Sequence, residues 1–207
     1  MMKLNRRAMI ALAAAATAAM TPALAQETTT AATGPGDFSL GSPDAKIKMV
    51  EYASFTCPHC AHFHETVFGQ LKKDYIDTGK VHFTLREVYF DRYGLWGALI
   101  ARCGGEMKYF GIHDMLFAKQ KDWAGSDDPN QVVENLKTIG RSAGLEDAAM
   151  DACLNDTANA EALIKQFKTN FEADGVEGTP TLFINGTKYS NMAYEDLKAI
   201  LDAELAK

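Results

Sequence analysis

The spacing of apolar residues changes along the chain, and each change predicts a different element. Ile47-Lys48-Met49-Val50-Glu51-Tyr52-Ala53 carries apolar side chains on both faces of an extended segment, the pattern of a strand buried in a parallel or mixed sheet. The period then lengthens to four through Phe63, Val67, Leu71 and Tyr75, which predicts a helix over about 58–77. Pro58 suits its first position, and Gly79 ends it. Val81 to Val88 reads as a second strand and completes a βαβ unit. From 93 to 174 the pattern is helical, with breaks at Gly104-Gly105, Gly125 to Pro129, and Gly140 to Gly144. Asp127-Asp128-Pro129 and Glu146-Asp147 supply helix starts there. The strand signal returns at Thr181-Leu182-Phe183-Ile184, Asn185-Gly186 predicts a hairpin turn, and an amphipathic helix closes the chain over 193–205.

The first residues follow another logic. Lys3, Arg6 and Arg7 precede an Ala-rich apolar run from Ala8 to Met20, and Ala23-Leu24-Ala25 supplies small residues two apart. This is the order and length of a cleaved secretory signal over 1–25, too short for a spanning helix. The Arg6-Arg7 pair also permits twin-arginine export, but the other residues usual in such signals are missing, which favours general secretion. A Thr-, Ala- and Gly-rich lead over 26–37 reads as flexible. Without the signal the chain keeps 18 basic and 27 acidic residues, a formal charge of −9 that argues against nucleic acid or anionic lipid as a partner.

All four cysteines lie beyond the signal, and an even count in an exported chain favours disulfides over free thiols. Cys57-Pro58-His59-Cys60 opens the predicted helix directly after a buried strand. The first sulfur therefore sits at a helix N-terminus, where unpaired N–H groups and the helix dipole favour a thiolate. The second lies one turn further on, inside, within reach of a disulfide. A thiolate that leaves readily makes the oxidised pair prone to pass its disulfide on. His59 adds a donor and a possible positive charge beside Cys57. The same residues admit a second reading, half of a zinc site completed by His62 and His64, although Cys103 and Cys153 lack matching spacing. Far along the chain, Gly178-Thr179-Pro180-Thr181 puts a proline at the first position of a strand.

Together these residues resemble the DsbA-like family of thiol–disulfide interchange proteins. The resemblance runs from about residue 38 onward and rests on Glu51-Tyr-Ala-Ser-Phe-Thr-Cys57-Pro58-His59-Cys60, Phe110-Gly-Ile-His-Asp-Met-Leu-Phe117, and Val176-Glu-Gly-Thr-Pro-Thr-Leu-Phe-Ile-Asn-Gly186. It implies an α/β thioredoxin fold with an inserted all-helical subdomain: 38–92 and 175–207 forming the thioredoxin part, 93–174 the insertion. It implies that Cys57 and Cys60 are the redox pair, that Pro180 is cis and faces them with Thr179 as a substrate-binding residue, and that Cys103 and Cys153 form a structural disulfide. Glu51 matches a buried acid that assists proton movement at the inner cysteine; the residues alone also allow an exposed or ion-paired Glu51, with Arg86 as partner. The segment after Gly186, Thr187-Lys-Tyr-Ser-Asn-Met, departs from the family in lacking a glycine near the last helix. Tyr89, Phe90, Trp96, Tyr109, Phe110 and Phe117 read as core and interdomain packing.

The expected activity is introduction of disulfides into unfolded or partly folded exported proteins with free thiols. The expected enzyme is a periplasmic monomer that needs no cofactor or metal and is reoxidised by a DsbB-like membrane oxidase. The alternatives are an isomerase or reductase of the same fold, a metal-binding periplasmic module, and a chaperone without redox activity.

Overall fold

A computed structural model describes residues 35–207; the expected signal and most of the lead lie outside the described residues. Five strands form one mixed sheet in the order β1-β3-β2-β4-β5: β1 (Phe38–Leu40), β2 (Ile47–Ala53), β3 (Val81–Glu87), β4 (Thr181–Ile184) and β5 (Thr187–Ser190). β2 and β3 are parallel, as a βαβ crossover requires, and the other neighbours are antiparallel. The β4–β5 turn has φ of 48° at Asn185 and 84° at Gly186, the doubly left-handed backbone of a type I′ hairpin. Three-residue β1 is too short to show a period, and the sequence pattern does not reveal it. It pairs antiparallel with Phe83–Leu85, and its Phe38 ring stacks on Tyr109 at 4.3 Å. Just before it, Asp37, assigned above to a flexible lead, is held by Arg86 at 3.0 Å and Gln166 at 2.9 Å.

The crossover helix covers 58–76, its α-helical parts α1 (Pro58–Phe63) and α2 (Gly69–Leu71) alternating with π-helical turns at His64–Phe68 and Lys72–Ile76. Helices α3 (Arg92–Cys103), α4 (Gly105–Ala118), α5 (Gln120–Ala124), α6 (Pro129–Ser142), α7 (Asp147–Leu154) and α8 (Thr157–Ala173) follow, then α9 (Tyr194–Ala206) after the hairpin. The break between α7 and α8 carries neither Gly nor Pro; Asp156 makes it by accepting from the Asn159 N–H at 3.0 Å, an N-cap that competes with helix continuation. Among the described residues no helix is long and apolar enough to cross a membrane.

The alternation of β2 decides which side chains meet. Met49 and Ala53 join the core cluster that contains Cys60 and Phe63, whereas Val50 and Tyr52 pack with Phe167, Phe171 and Val176. Glu51 lies between Met49 and Ala53, so the two-residue period turns its carboxyl toward the crossover helix. Arg86 is register partner of Tyr52, on the opposite face, and pairs with Asp174 at 2.7 Å and Asp37. A Glu51–Arg86 ion pair is therefore excluded by sheet parity.

Glu87, at the end of β3, joins sheet and helices. Arg102 donates to it at 2.8 Å, Tyr109 at 2.6 Å and Tyr89 at 2.9 Å, so a buried carboxylate is fully compensated. Tyr109 and Phe117 are buried and Trp96 partly so, but Phe90 is 57 % exposed, unlike the core position expected of it. A disulfide links Cys103 at the end of α3 to Cys153 in α7 across a separation of 50 residues. Replacing both with Ala should lower unfolding free energy by about 4 kcal/mol through regained chain entropy, measured by urea titration beside the unaltered protein.

Candidate active site

The first turn of α1 sets two sulfurs in opposite environments. Cys57 is the N-cap residue, with extended backbone (φ −78°, ψ 119°) and no side-chain cap bond, and Pro58 follows at a position where its missing N–H costs nothing. Cys57 is half-buried and Cys60 fully buried, and both are free thiols. The Cys57 thiol is pushed down to about 5, chiefly by a hydrogen bond from Cys60, with further help from the Thr179 hydroxyl and the backbone N–H groups of Cys60 and His59; partial burial opposes them. Cys60 moves the other way. Burial is the main cause, and the neighbouring Cys57 and Glu51 add to it, so its thiol stays protonated across the physiological range.

The loop before β4 completes the centre. The Thr179–Pro180 peptide bond is cis, and the Cys57 thiol donates to the Thr179 carbonyl at 3.5 Å. The Thr179 hydroxyl is buried without a hydrogen-bond partner and acts on both sulfurs, so its proton is available to a thiolate. His59 is exposed: its backbone acts on Cys57, while its side chain lines a groove of about 510 Å³ with Thr179, Pro180 and Tyr189.

Behind the sulfurs, Glu51 is completely buried and burial raises its carboxyl to about 8, so it is a protonated acid at neutral pH. Its two oxygens lie 3.2 and 3.1 Å from His64 Nε2. Periodicity could have placed His64 inside, since Cys60 and His64 are four apart on one helical face; His62, off that face, is exposed beside Glu65. Among the described residues no three His, Cys, Asp or Glu side chains converge as a metal donor set. Two further residues come from the helical part and were not singled out above. Gln120 donates to the carbonyls of Phe55 and Cys57 at 2.8 and 2.9 Å, tying α5 to the loop that carries Cys57. His113, inside the Phe110–Phe117 segment, is fully buried on α4 and stands edge to face on His64 with ring centroids 4.6 Å apart. A histidine inside an apolar helical run was the available signal for it.

Iodoacetamide should alkylate the reduced protein at Cys57 alone, with a rate that titrates near pH 5, while Cys60 reacts only after unfolding; peptide mapping across pH 3–9 reads both.

Comparison with known proteins agrees with this geometry. A family model described as Thioredoxin matches residues 33–203. A Rickettsia bellii protein provisionally named a protein-disulfide oxidoreductase is 38 % identical over 169 residues, covering 80 % of this chain and 63 % of its own. The chain thus spans less than two thirds of that relative. Disulfide bond formation protein D of Bacillus subtilis is 27 % identical, with 80 % of this chain and 76 % of its own covered. The crystal structure of Wolbachia pipientis alpha-DsbA1 superposes with a TM-score of 0.74 at 28 % identity, over 82 % of this chain and 90 % of its own. With two free cysteines at a helix start, a cis-proline loop facing them, and helices joined between β3 and β4, the chain belongs to the thioredoxin family, among its DsbA-like thiol–disulfide interchange proteins.

Proposed function

We propose that the protein is a periplasmic dithiol oxidase that introduces disulfides into exported proteins. The opposed settings of the two sulfurs carry this reading. In the oxidised enzyme a substrate thiolate attacks Cys57; the Cys57–Cys60 bond breaks, a mixed disulfide with Cys57 forms, and the electron pair passes to Cys60. The buried Cys60 sulfur takes a proton, for which Glu51, buried and protonated, is the donor in this reading. A second substrate thiolate then attacks the mixed disulfide and expels Cys57, a good leaving group because its thiolate is stabilised. The substrate leaves oxidised and the enzyme holds two reduced cysteines. Thr179 and Pro180 present the cleft edge along which an extended substrate chain lies. A DsbB-like membrane oxidase restores the disulfide, and the mature enzyme acts as a monomer without cofactor.

Cys57→Ser should abolish oxidation of a reduced substrate protein, whereas Cys60→Ser should accumulate mixed disulfides through Cys57, resolved by non-reducing electrophoresis. Equal trapping through Cys60 in the Cys57 variant would reverse the assignment.

The direction of the reaction has a thermodynamic test. The folded Cys57 pKa of about 5 lies below the unfolded value of about 8.5, so its stabilisation of the reduced form is absent below pH 5 and complete above about 8.5. Cys60 opposes it only above about pH 8.5, where the unfolded chain gains a second thiolate that the folded protein refuses. The burial of Glu51 acts on both redox forms and cancels to first order in their difference. A ring of four residues also removes little entropy from the unfolded oxidised chain. The reduced form should therefore be the more stable at pH 7, with an advantage that grows from pH 5 to about 8.5 and then shrinks. Denaturant titrations of both forms across this range measure it, and a more stable oxidised form at pH 7 would instead indicate an isomerase or reductase.

A further inference from the structure

The carbonyls of Phe55 and Cys57 converge on one side-chain nitrogen. Gln120 Nε2 donates to the first at 2.8 Å and to the second at 2.9 Å, so one amide group spends both of its protons on the loop that enters α1. Both partners are acceptors only, so the nitrogen end of the amide must face them. Among the described residues the Phe55 carbonyl has no other donor, while the Cys57 carbonyl also accepts from the Ala61 N–H at 3.1 Å. The loop has a second tie to the helical part, the Thr56 hydroxyl donating to Asp91 at 2.6 Å, but that bond holds a side chain and leaves both carbonyls free to turn. The chain is built to deliver Gln120. α4 ends at Ala118, and Lys119 leaves helical geometry (φ −111°, ψ 21°) before α5 begins at Gln120, although neither glycine nor proline marks the break. Buried Trp123 anchors this short helix by donating from Nε1 to the Leu116 carbonyl at 2.8 Å.

We propose that Gln120 is a positioning residue for disulfide exchange: by clamping both carbonyls it holds the Cys57 backbone at the angle that presents its sulfur to the first-turn N–H groups of α1. Rotation about the Cys57 Cα–C bond, where ψ is 119°, swings the sulfur relative to the His59 and Cys60 N–H groups, the backbone donors that act on it. A carbonyl held from outside the helix resists that rotation. Pro58 has no N–H with which to hold the turn from inside. Without the amide, two carbonyls lose a donor and turn toward water, and the sulfur moves with them. Gln120 lines a groove of about 770 Å³ beside the crossover helix, so Gln120→Ala would admit water as a substitute donor. Gln120→Met is the discriminating change, since it fills the space and donates nothing. Ionisable side chains on the elements around Cys57 are His59 and Cys60 on α1, Asp91 through Thr56, Glu177 in the groove of His59 and Thr179, and Lys119 and Lys121 beside Gln120; the test leaves all of them in place.

The inference rests on Cys57 as the exchanging thiol, and two measurements keep the two ideas apart. Ultraviolet titration of the thiolate in the reduced protein reads Cys57 directly. Equilibration with glutathione reads the redox balance: two glutathione thiols give up two electrons and two protons to the enzyme disulfide, leaving one glutathione disulfide and two enzyme thiols. Gln120→Met should move the Cys57 titration from about 5 to about 6 and shift the equilibrium at pH 7 about tenfold toward the enzyme disulfide. Gln120→Glu, nearly the same shape but unable to serve both carbonyls, should move both readings in the same direction, and it decides the matter if the Met variant does not fold. Trp123→Phe, which removes the bond to Leu116 inside the helical part, should lower the urea midpoint and leave both readings within twofold of the native protein. Gln120 variants that lose stability equally in both redox forms, with both readings within twofold of native, would overturn the clamp. A Trp123→Phe shift as large as that of Gln120→Met would also overturn it. A native protein that exchanges no disulfide with glutathione would overturn the functional reading, while the thiolate titration still decides the clamp.

Discussion

The site depends on a difference in solvation between two sulfur atoms one helical turn apart. Cys57 sits where the helix begins, half in water, surrounded by donors that have no other use. Cys60 sits in the apolar core, where burial outweighs what the Thr179 hydroxyl could offer an anion. Neither environment alone makes a disulfide transferable. In the proposed exchange their opposition does, because one sulfur is stabilised as a thiolate while the other is held as a neutral thiol. The cis bond before Pro180 belongs to the same arrangement, since it brings the Thr179 carbonyl and hydroxyl to the outer sulfur.

The helical block does more than cover the sheet. Glu87 gathers Arg102, Tyr89 and Tyr109 into one compensated buried cluster, and Gln120 fixes the loop carrying Cys57. These contacts hold α4 against the crossover helix, which is where His113 meets His64. A carboxyl group on a central strand would ordinarily be a defect. Here it has a histidine from one part of the chain and, behind that, a histidine from the other. Glu51, the two sulfurs and His64 thus come from the thioredoxin part, while His113, packed on His64, comes from the helical part.

Much of this was legible in the chain. The βαβ unit, the hairpin at Asn185-Gly186, the helical block and the terminal helix follow from apolar period and turn chemistry, because those signals act locally. Cys57-Pro58-His59-Cys60 at a strand-to-helix junction already dictated which sulfur is outer and which inner. Strand β1 was not legible, because three residues cannot display a period, and neither was the Asp156 cap, because polar residues also occur within helices.

The sequence by itself determined the order of the longer elements and the place of Cys57 and Cys60 at a helix start, since both depend on neighbours in the chain. Only the tertiary structure decided where Glu51 points and what it touches. Parity of β2 turns it inward, and register pairs Tyr52 rather than Glu51 with Arg86. Its partner His64 lies 13 residues away, and His113 comes from a helix beyond the next strand. Contacts between residues so far apart carry no local signature, because burial and pairing are set by how the elements pack, and packing exists only once the chain has folded.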